Sequence, residues 1–370
     1  YADFFISNIN DLTGLNLSAA SEIMPFGLDY LLPVGISFYT FQSMSYTIDY
    51  YRGKIKRETS FIRFAAFVSF FPQLVAGPIE RAKNLLPQFH KFPKIKRQDI
   101  AAGASLFIVG LFKKLALANY AALYVDRIYE DPSNANGASL TLATFAFAWQ
   151  IYFDFSAYTD MARGSARIMG FKLSLNFKNP YTSTSLSEFW SRWHISLSTW
   201  FRDYVYFPLG GNKKGSKRTY INLLSVFIIS GLWHGAAWTF IAWGLLHGVG
   251  LTAEKALNNV KFTKIRLPRL IKITFTFLLV CAGWIFFRSR SIDEALVVYR
   301  KIFSLEWNDP QFPLFLLLMI GAVWIYQLIF ESKMKKVLAE NWIRVPLLFG
   351  MIIYLFFCSS EGEQFIYFQF

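Results

Sequence analysis

His234 stands in SGLWHG, inside a run from Thr219 to Ala253 that contains no Asp, Glu, Lys or Arg. An imidazole titrates near neutrality, so it can take up and return a proton under physiological conditions. An ionisable group at membrane depth is a functional candidate by default. Gly231 and Gly235 flank it, and the same letters also fit a histidine that packs between small residues. His194, in FWSRWHISLSTWF, is the second imidazole in an aromatic setting. A second histidine near a buried one is what proton chemistry needs; a lone one at the edge of an aromatic stripe is interfacial decoration. His247 follows in the same run and reads as a separate packing residue, and His90 lies in a basic loop with no role in the chemistry.

Asp154 and Tyr158, in YFDFSAYTDMARG, are four residues apart and share a helix face. An acid just inside the end of a span is costly unless it is paired or watered. Arg163 and Arg167 are the expected partners, and the pair either holds structure at an interface or lines a site. The turn LGGNKKGSK (209–217) is glycine-rich and basic and can offer N–H groups and lysines to phosphate. It lacks the spacing of a P-loop, which favours a plain cytoplasmic loop.

The elements that must position these groups follow from charge and periodicity. The uncharged run 219–253 is too long for one simple span. A break at Gly231–Gly235 divides it into two arms of roughly 22–28 Å each. Lys213, Lys214, Lys217 and Arg218 precede it, and Lys255 and Lys261 follow. Basic clusters stay cytoplasmic, so both ends are cytoplasmic. His234 then lies at the far turn of a hairpin, or near mid-membrane if the arms are tilted or re-entrant. From Ser185 to Pro208, Leu186, Phe189, Trp190, Trp193, Leu197, Trp200, Phe201 and Tyr204 recur at helical spacing. Ser187, Ser191, Arg192, Ser198, Arg202 and Asp203 occupy the other face. One amphipathic helix, opened by a Ser185/Glu188 capping box, is expected in the membrane interface or along a funnel.

The remaining apolar stretches are Tyr30–Ile48, Phe64–Ile79, Ile100–Tyr124, Pro132–Phe153, Ile273–Phe287, Pro310–Phe330 and Val345–Ser360. Residues 1–22 are mixed and polar and read as a loop or short surface helix. Tyr39, Gln42, Ser45 and Tyr46 form a polar stripe that suits interhelical hydrogen bonding or the lining of a polar tunnel. Pro72, Gly77 and Pro78 interrupt the second stretch, as in a re-entrant piece. Lys113 and Lys114 lie inside the third and are expected to snorkel to an interface. Ile292–Phe303 is a short amphipathic piece. Hydrophobic residues make up 54% of the chain, and charged residues only 17%. That excludes an ordinary soluble domain and selects an all-α polytopic membrane protein. The net charge of +14 sits in short clusters between apolar runs, which fits loops against anionic headgroups and not nucleic acid. Cys281 and Cys358 have no disulfide or metal-ligand spacing.

FWSRWHISLSTWFRDYVYFPLGGNKKG followed by SGLWHGAAWTFIAWGLLHG resembles the membrane-bound O-acyltransferase (MBOAT) superfamily. Within it, the chain is similar to the branch of alginate O-acetylase and related bacterial polysaccharide O-acetylases. PVGISFYTFQSMSY, LVAGPIERA, YFDFSAYTDMA and FIYFQF also resemble that branch, so the likeness runs from about Pro33 to Phe370. Teichoic-acid D-alanyl transfer proteins share the RWH and WHG elements. Members of the family begin with further transmembrane segments, so residues 1–370 are expected to form a single MBOAT domain that lacks them.

The resemblance implies a fold of tilted, re-entrant and interfacial helices around a tunnel, in a bacterial cytoplasmic membrane. It implies that His234 matches the catalytic histidine and His194 the second one. It implies no bound cofactor, and acetyl-CoA or a derived thioester as cytoplasmic donor. The final acceptor is an exported polysaccharide, reached through a periplasmic or surface acetyltransferase. O-acyl transfer needs a base for the attacking hydroxyl and stabilisation of the oxyanion. His234 suits the base or a relay, and His194 suits orienting it, sharing its proton or polarising the thioester carbonyl. Trp233 and Trp193 are expected to wall the tunnel against water, and Arg192, Arg202, Lys213 and Lys214 to meet donor phosphates, with Asp203, Asp154 and Tyr158 nearby. Transfer of another acyl group within the superfamily, to teichoic acid, lipid or protein, is the alternative, as is a transporter or flippase without chemistry.

Overall fold

The computed structural model describes residues 1–18, 35–91, 93–259, 267–304, 307–338 and 340–358, and every regular element among them is helical. Helix α1 (Ala2–Thr13) is followed by α2 (Ile36–Tyr51). Three short helices come next: α3 (Phe61–Val68), α4 (Phe71–Leu74) and α5 (Ala82–Phe89). A long rod then has three parts: α6 (Arg97–Phe112), a π-turn (Lys113–Ala118) and α7 (Asn119–Glu130). Helix α8 (Gly137–Ile168) runs for 32 residues, about 48 Å. Two short helices, α9 (Leu186–Arg192) and α10 (Ile195–Phe201), lead into a second π-turn at Arg202–Tyr206. Then come α11 (Gly215–His234), α12 (Trp238–Asn259), α13 (Arg269–Arg288) and α14 (Ile292–Phe303). The last three are α15 (Leu314–Phe330), α16 (Lys335–Leu338) and α17 (Asn341–Cys358).

Helix α8 is the mast of the fold. Asn136 caps its start by accepting a hydrogen bond from the Ser139 N–H at 2.9 Å. Phe147, Trp149, Phe153 and Phe155 are buried along it, in one core with Trp193, Trp243 and Trp284. Helix α6 runs antiparallel to α8 at very close approach. A methyl group on Gly103 would come within 2.7 Å of the Gly164 carbonyl oxygen, and one on Gly164 within 2.7 Å of the Gly103 oxygen. Glycines let two apolar helices touch backbone to backbone where no hydrophobic force between them exists in lipid. The rod 97–130 and α13 are long and apolar enough to cross a bilayer, and α15 and α17 are shorter apolar helices.

Several expectations are met. The run 219–253 is a helical hairpin. Gly231 faces the Phe240 carbonyl and Gly244 the Phe227 carbonyl, and a side chain at either glycine would collide with backbone. These pairings place α11 and α12 antiparallel. The stretch 64–79 is broken, with Pro72 in the first turn of α4, and Ile292–Phe303 is helical. Part of the stripe on α2 serves hydrogen bonding between elements: buried Gln42 donates to the Phe67 carbonyl and accepts from the Gln73 amide at 2.9 Å. Residues 30–34, Lys261, Ser359–Ser360 and the terminal FIYFQF lie outside the described residues.

Three expectations are corrected. Lys113 and Lys114 do not snorkel. Lys113 Nζ meets Asp160 and Lys114 Nζ meets Asp154, each at 2.7 Å, with Lys114 and Asp154 both buried. The π-turn begins at these two lysines, and a widened turn re-aims side chains relative to a regular helix. Asp154 therefore pairs with Lys114, while Arg163 pairs with Asp160 and Arg167 with Asp99. Finally, 185–208 is not one helix in an interface: it breaks at Trp193–His194, and its aromatic face joins the core.

Candidate active site

The break between α9 and α10 is what places His194. His194 has φ 41° and ψ 53°, the left-handed region that L-residues avoid. Such a residue costs about 1–3 kcal/mol and persists where its surroundings over-determine it. Here they do. The segment before a single 3₁₀ turn, Pro180–Thr182, runs alongside the break: the Lys178 N–H donates to the Arg192 carbonyl, and the Ile195 N–H to the Asn176 carbonyl, both at 2.9 Å. The Asn176 side-chain oxygen accepts from the Ser196 N–H at 3.1 Å and the Ser196 hydroxyl at 2.9 Å. The same oxygen lies 3.2 Å from His194 Nδ1.

That contact fixes the tautomer of the imidazole. A backbone N–H can only donate, so the Asn176 atom facing it is the acceptor oxygen. His194 Nδ1 must then carry the proton, and in the neutral ring Nε2 keeps its lone pair. Nε2 is buried and has no hydrogen-bond partner among the described residues. The ring is enclosed by Phe155 edge-on at 4.6 Å, with Phe38, Phe177 and Trp233 each 6.4 Å away.

His234 is the last residue of α11, and the chain turns through Gly235–Ala237 into α12. The break thus falls after the histidine, and His234 lies at the hairpin turn, one of the two places the sequence allowed. Its ring is half-buried and packs edge-on against Trp243 and Phe287, both at 5.1 Å. Trp233 stands between the two histidines, 4.8 Å from His234 and 6.4 Å from His194. Phe41 holds it from behind in a stack with Trp200, at 5.3 Å and 4.0 Å respectively. The arrangement is two imidazoles across one indole, walled by aromatic rings.

A cavity of about 540 Å³ lies between α9–α10 and the α11–α12 hairpin, lined by residues that include Trp190, Ile195, Arg202, Phe227 and Ser230. Ile195 follows His194, and Ser230 is one helical turn below His234 on the same face. The space therefore approaches the pair along α11. A largely apolar cleft with a few polar groups is an ordinary form of small-molecule site.

The other sequence-derived candidates are placed as follows. Trp193 is buried, but its ring neighbours are Tyr152, Phe177, Tyr181, Phe189 and Trp284, deeper in the core. Arg192 is held by Glu188 at 2.7 Å, by Glu331 and by Thr182 at 3.1 Å, a clamp between α9 and the end of α15. Arg202 is exposed beside the cavity and pairs with Asp203 at 3.0 Å. Asp203 also meets Arg81 at 3.3 Å. Asp154 and Tyr158 share a face of α8, with Lys114 5.9 Å from the Tyr158 ring centre, one residue from the Phe155 that covers His194. Lys213 and Lys214 are exposed in the turn before α11. His90 bonds Glu58 at 2.7 Å on the surface. Among the described residues no group of three or more His, Cys, Asp or Glu side chains could hold a metal ion.

Sequence reasoning missed Asn176, the residue that orients His194. It carries no local signal, since it lies in LSLNFKNP, 18 residues before the histidine it serves. It also missed Trp243, which stands four residues before His247 in WGLLH; only His247 was considered there, as a packing residue.

Residues 52–292 match the sequence model of the membrane-bound O-acyltransferase family. The chain is 43% identical over 314 residues to a probable alginate O-acetylase AlgI of Pseudomonas putida, covering 83% of this chain and 62% of that protein. It is 35% identical over 334 residues to the peptidoglycan O-acetyltransferase of Helicobacter pylori, covering 83% and 62%. It is 30% identical over 275 residues to the teichoic acid D-alanyltransferase of Bacillus subtilis, covering 70% and 69%. The chain thus spans about three-fifths of the length of the alginate O-acetylases it matches.

Proposed function

The chain belongs to the membrane-bound O-acyltransferase family, and from that premise we propose that it carries out the acyl-transfer step in O-acetylation of an exported polysaccharide. The donor is acetyl-CoA or a thioester derived from it, presented on the cytoplasmic side. The protein sits in a bacterial cytoplasmic membrane as a multi-pass chain, and a periplasmic or surface acetyltransferase takes the acetyl group onward. The two O-acetylases named above share 43% and 35% identity over 83% of this chain, against 30% over 70% for the D-alanyltransferase, which favours this reading over D-alanylation.

The observation that carries it is the pair of imidazoles across Trp233, with the proton of His194 pinned on Nδ1 by Asn176. His234 takes the proton of the attacking hydroxyl as its oxygen bonds to the thioester carbonyl carbon. The tetrahedral intermediate then collapses, the C–S bond breaks, and the proton passes to the departing sulfur. His194, with a lone pair at Nε2, shares that proton in transit, before it reaches the sulfur. Polarising the carbonyl through Nε2 would require a second proton on that ring, so proton sharing is the role its tautomer supports. The aromatic walls keep water from hydrolysing the thioester. Such a tunnel reading joins the cavity along α11 to the two histidines.

The test is the acetate content of the exported polysaccharide in wild type, His234→Ala and His194→Ala, at matched membrane levels of protein. Loss of acetate in His234→Ala with a smaller loss in His194→Ala is expected. Unchanged acetate in both variants would overturn the reading, and a transporter without acyl chemistry would then account better for the fold.

A further inference from the structure

Arg192 closes α9, two residues before the left-handed His194. Its backbone and its side chain hold the same strap. The carbonyl accepts from the Lys178 N–H at 2.9 Å, and guanidinium Nη1 donates to the Thr182 hydroxyl at 3.1 Å. Nη1 also meets Glu331, the residue that ends α15, and Nη2 meets Glu188 one turn back at 2.7 Å. Glu188 in turn accepts from the N–H and the hydroxyl of Thr184, each at 2.7 Å. One arginine thus ties together α9, both ends of the segment 178–182 and the end of α15, around the break that carries the histidine. Charge decides what it is for. Two cations meet two anions here: Arg192 pairs with Glu188 and Glu331, and Arg269 of α13 meets Glu331 at 3.4 Å. A donor phosphate at Arg192 would face two carboxylates already in place. The side chains of Arg192 and Glu331 are only 15% and 12% exposed, so solvent screens their attraction little.

We propose that Arg192 is a positioning residue for His194: it holds the strap 176–182 against α9, so that Asn176 keeps its hold on the imidazole. The catalytic consequence rests on the function proposed above. The path is short. Asn176 lies two residues before Lys178; its carbonyl takes the Ile195 N–H at 2.9 Å, and its side-chain oxygen lies 3.2 Å from His194 Nδ1. A strap that drifts from α9 lengthens both contacts together. His194 then loses its tautomer and the partners that sustain its left-handed backbone. The task suits arginine and not lysine, because a guanidinium presents its donors in a rigid planar fork that meets several acceptors at once. Glu331 extends the clamp to α15, so the far end of that helix is mechanically tied to the second histidine.

The experiment compares Arg192→Lys, Glu331→Ala and the double variant in the full-length protein. Hydrogen exchange in detergent reads the clamp directly. Amides of 176–182 and 193–198 should exchange about tenfold faster in each single variant, while those of α8 keep their wild-type rates. In membranes supplied with acetyl-CoA, each single variant lowers kcat about tenfold and leaves KM for acetyl-CoA unchanged. The double variant loses no more than the worse single one, because both changes open the same clamp. A phosphate contact predicts the opposite pattern. Arg192→Lys would keep the charge and most of the activity, and Glu331→Ala would free the guanidinium and lower KM. Either of those results overturns the proposal, and so does wild-type exchange of 176–182 and 193–198 in both single variants. Glu331→Ala opens the clamp from the other side should Arg192→Lys fail to fold. The exchange readout needs no catalysis: if His234→Ala leaves transfer intact, the function proposal falls while the clamp is still decided.

Discussion

Asn176 orients His194, and under the proposed function that contact sets which ring nitrogen can handle the proton. Its side-chain oxygen gathers the Ser196 N–H, the Ser196 hydroxyl and His194 Nδ1, and it is wholly buried. Replacing it with alanine leaves those donors unpaired and frees the imidazole to adopt the other tautomer. Asn176→Ala is expected to reduce acetyl transfer at least tenfold and to cost about 1–3 kcal/mol of stability. Asn176→Asp keeps an acceptor oxygen and should retain more of both. Transfer rates and thermal melts of the two variants check this, and equal activity in Asn176→Ala and wild type would remove Asn176 from the site. The uncharged run and the aromatic stripe singled out the two histidines as candidates, and the family resemblance suggested that they act together. Asn176 was not legible, because orientation is made by a long-range contact that no periodicity encodes.

Elements bring these residues together, and here the sequence was read well for long helices and poorly for interruptions. The hairpin 215–259 follows from its uncharged run, yet the break at 193–194 is invisible, since the aromatic stripe continues through it in helical register. What breaks the helix is the strap 176–178, which offers partners to backbone groups that a continuous helix would keep to itself. Two predictions belong at this scale. Gly231→Ala forces the Phe240 carbonyl away and splays the hairpin at its tip. It should lower protein level and abolish transfer, whereas Gly350→Ala, with nothing within 4 Å, should change neither. Immunoblots and acetate assays separate the two; a fully active Gly231→Ala would mean that the hairpin packing does not set His234.

The second element-scale prediction concerns the ion pair between the π-turn and α8. Removing one partner of a buried pair costs about 3–5 kcal/mol, because the other charge is left uncompensated, while replacing both with apolar residues is often neutral. Lys114→Met and Asp154→Leu should each destabilise the protein strongly, and the double variant should recover most of the loss in a detergent melt. Additive losses would show that the two side chains do not depend on each other. The sequence flagged Asp154 as needing a partner, but nearby arginines were the natural guess. Lys114 is 40 positions earlier and is turned inward by the widened π-turn.

At the scale of the whole molecule, charge and helix direction combine into an orientation. The rod 97–130 starts at the basic segment 91–97 and ends at Asp131–Asn136; α8 returns from there, and α11 rises from the basic turn 213–218 to His234. If basic clusters remain cytoplasmic, the loop 131–136 faces outward, and the hairpin turn with His234 points the same way, toward an exported acceptor. The all-α membrane class was legible from composition alone, but this sidedness depends on how the breaks and turns order the helices. Single cysteines at Lys213 and Asn134, in a chain whose Cys281 and Cys358 are replaced by alanine, test it with a membrane-impermeant thiol reagent. Asn134→Cys should be labelled in cells with intact cytoplasmic membranes, and Lys213→Cys only after that membrane is permeabilised. The reverse pattern would place His234 toward the cytoplasm. The attacking hydroxyl would then be a cytoplasmic one, and acetyl transfer to an exported glycan would need a separate carrier to cross the bilayer.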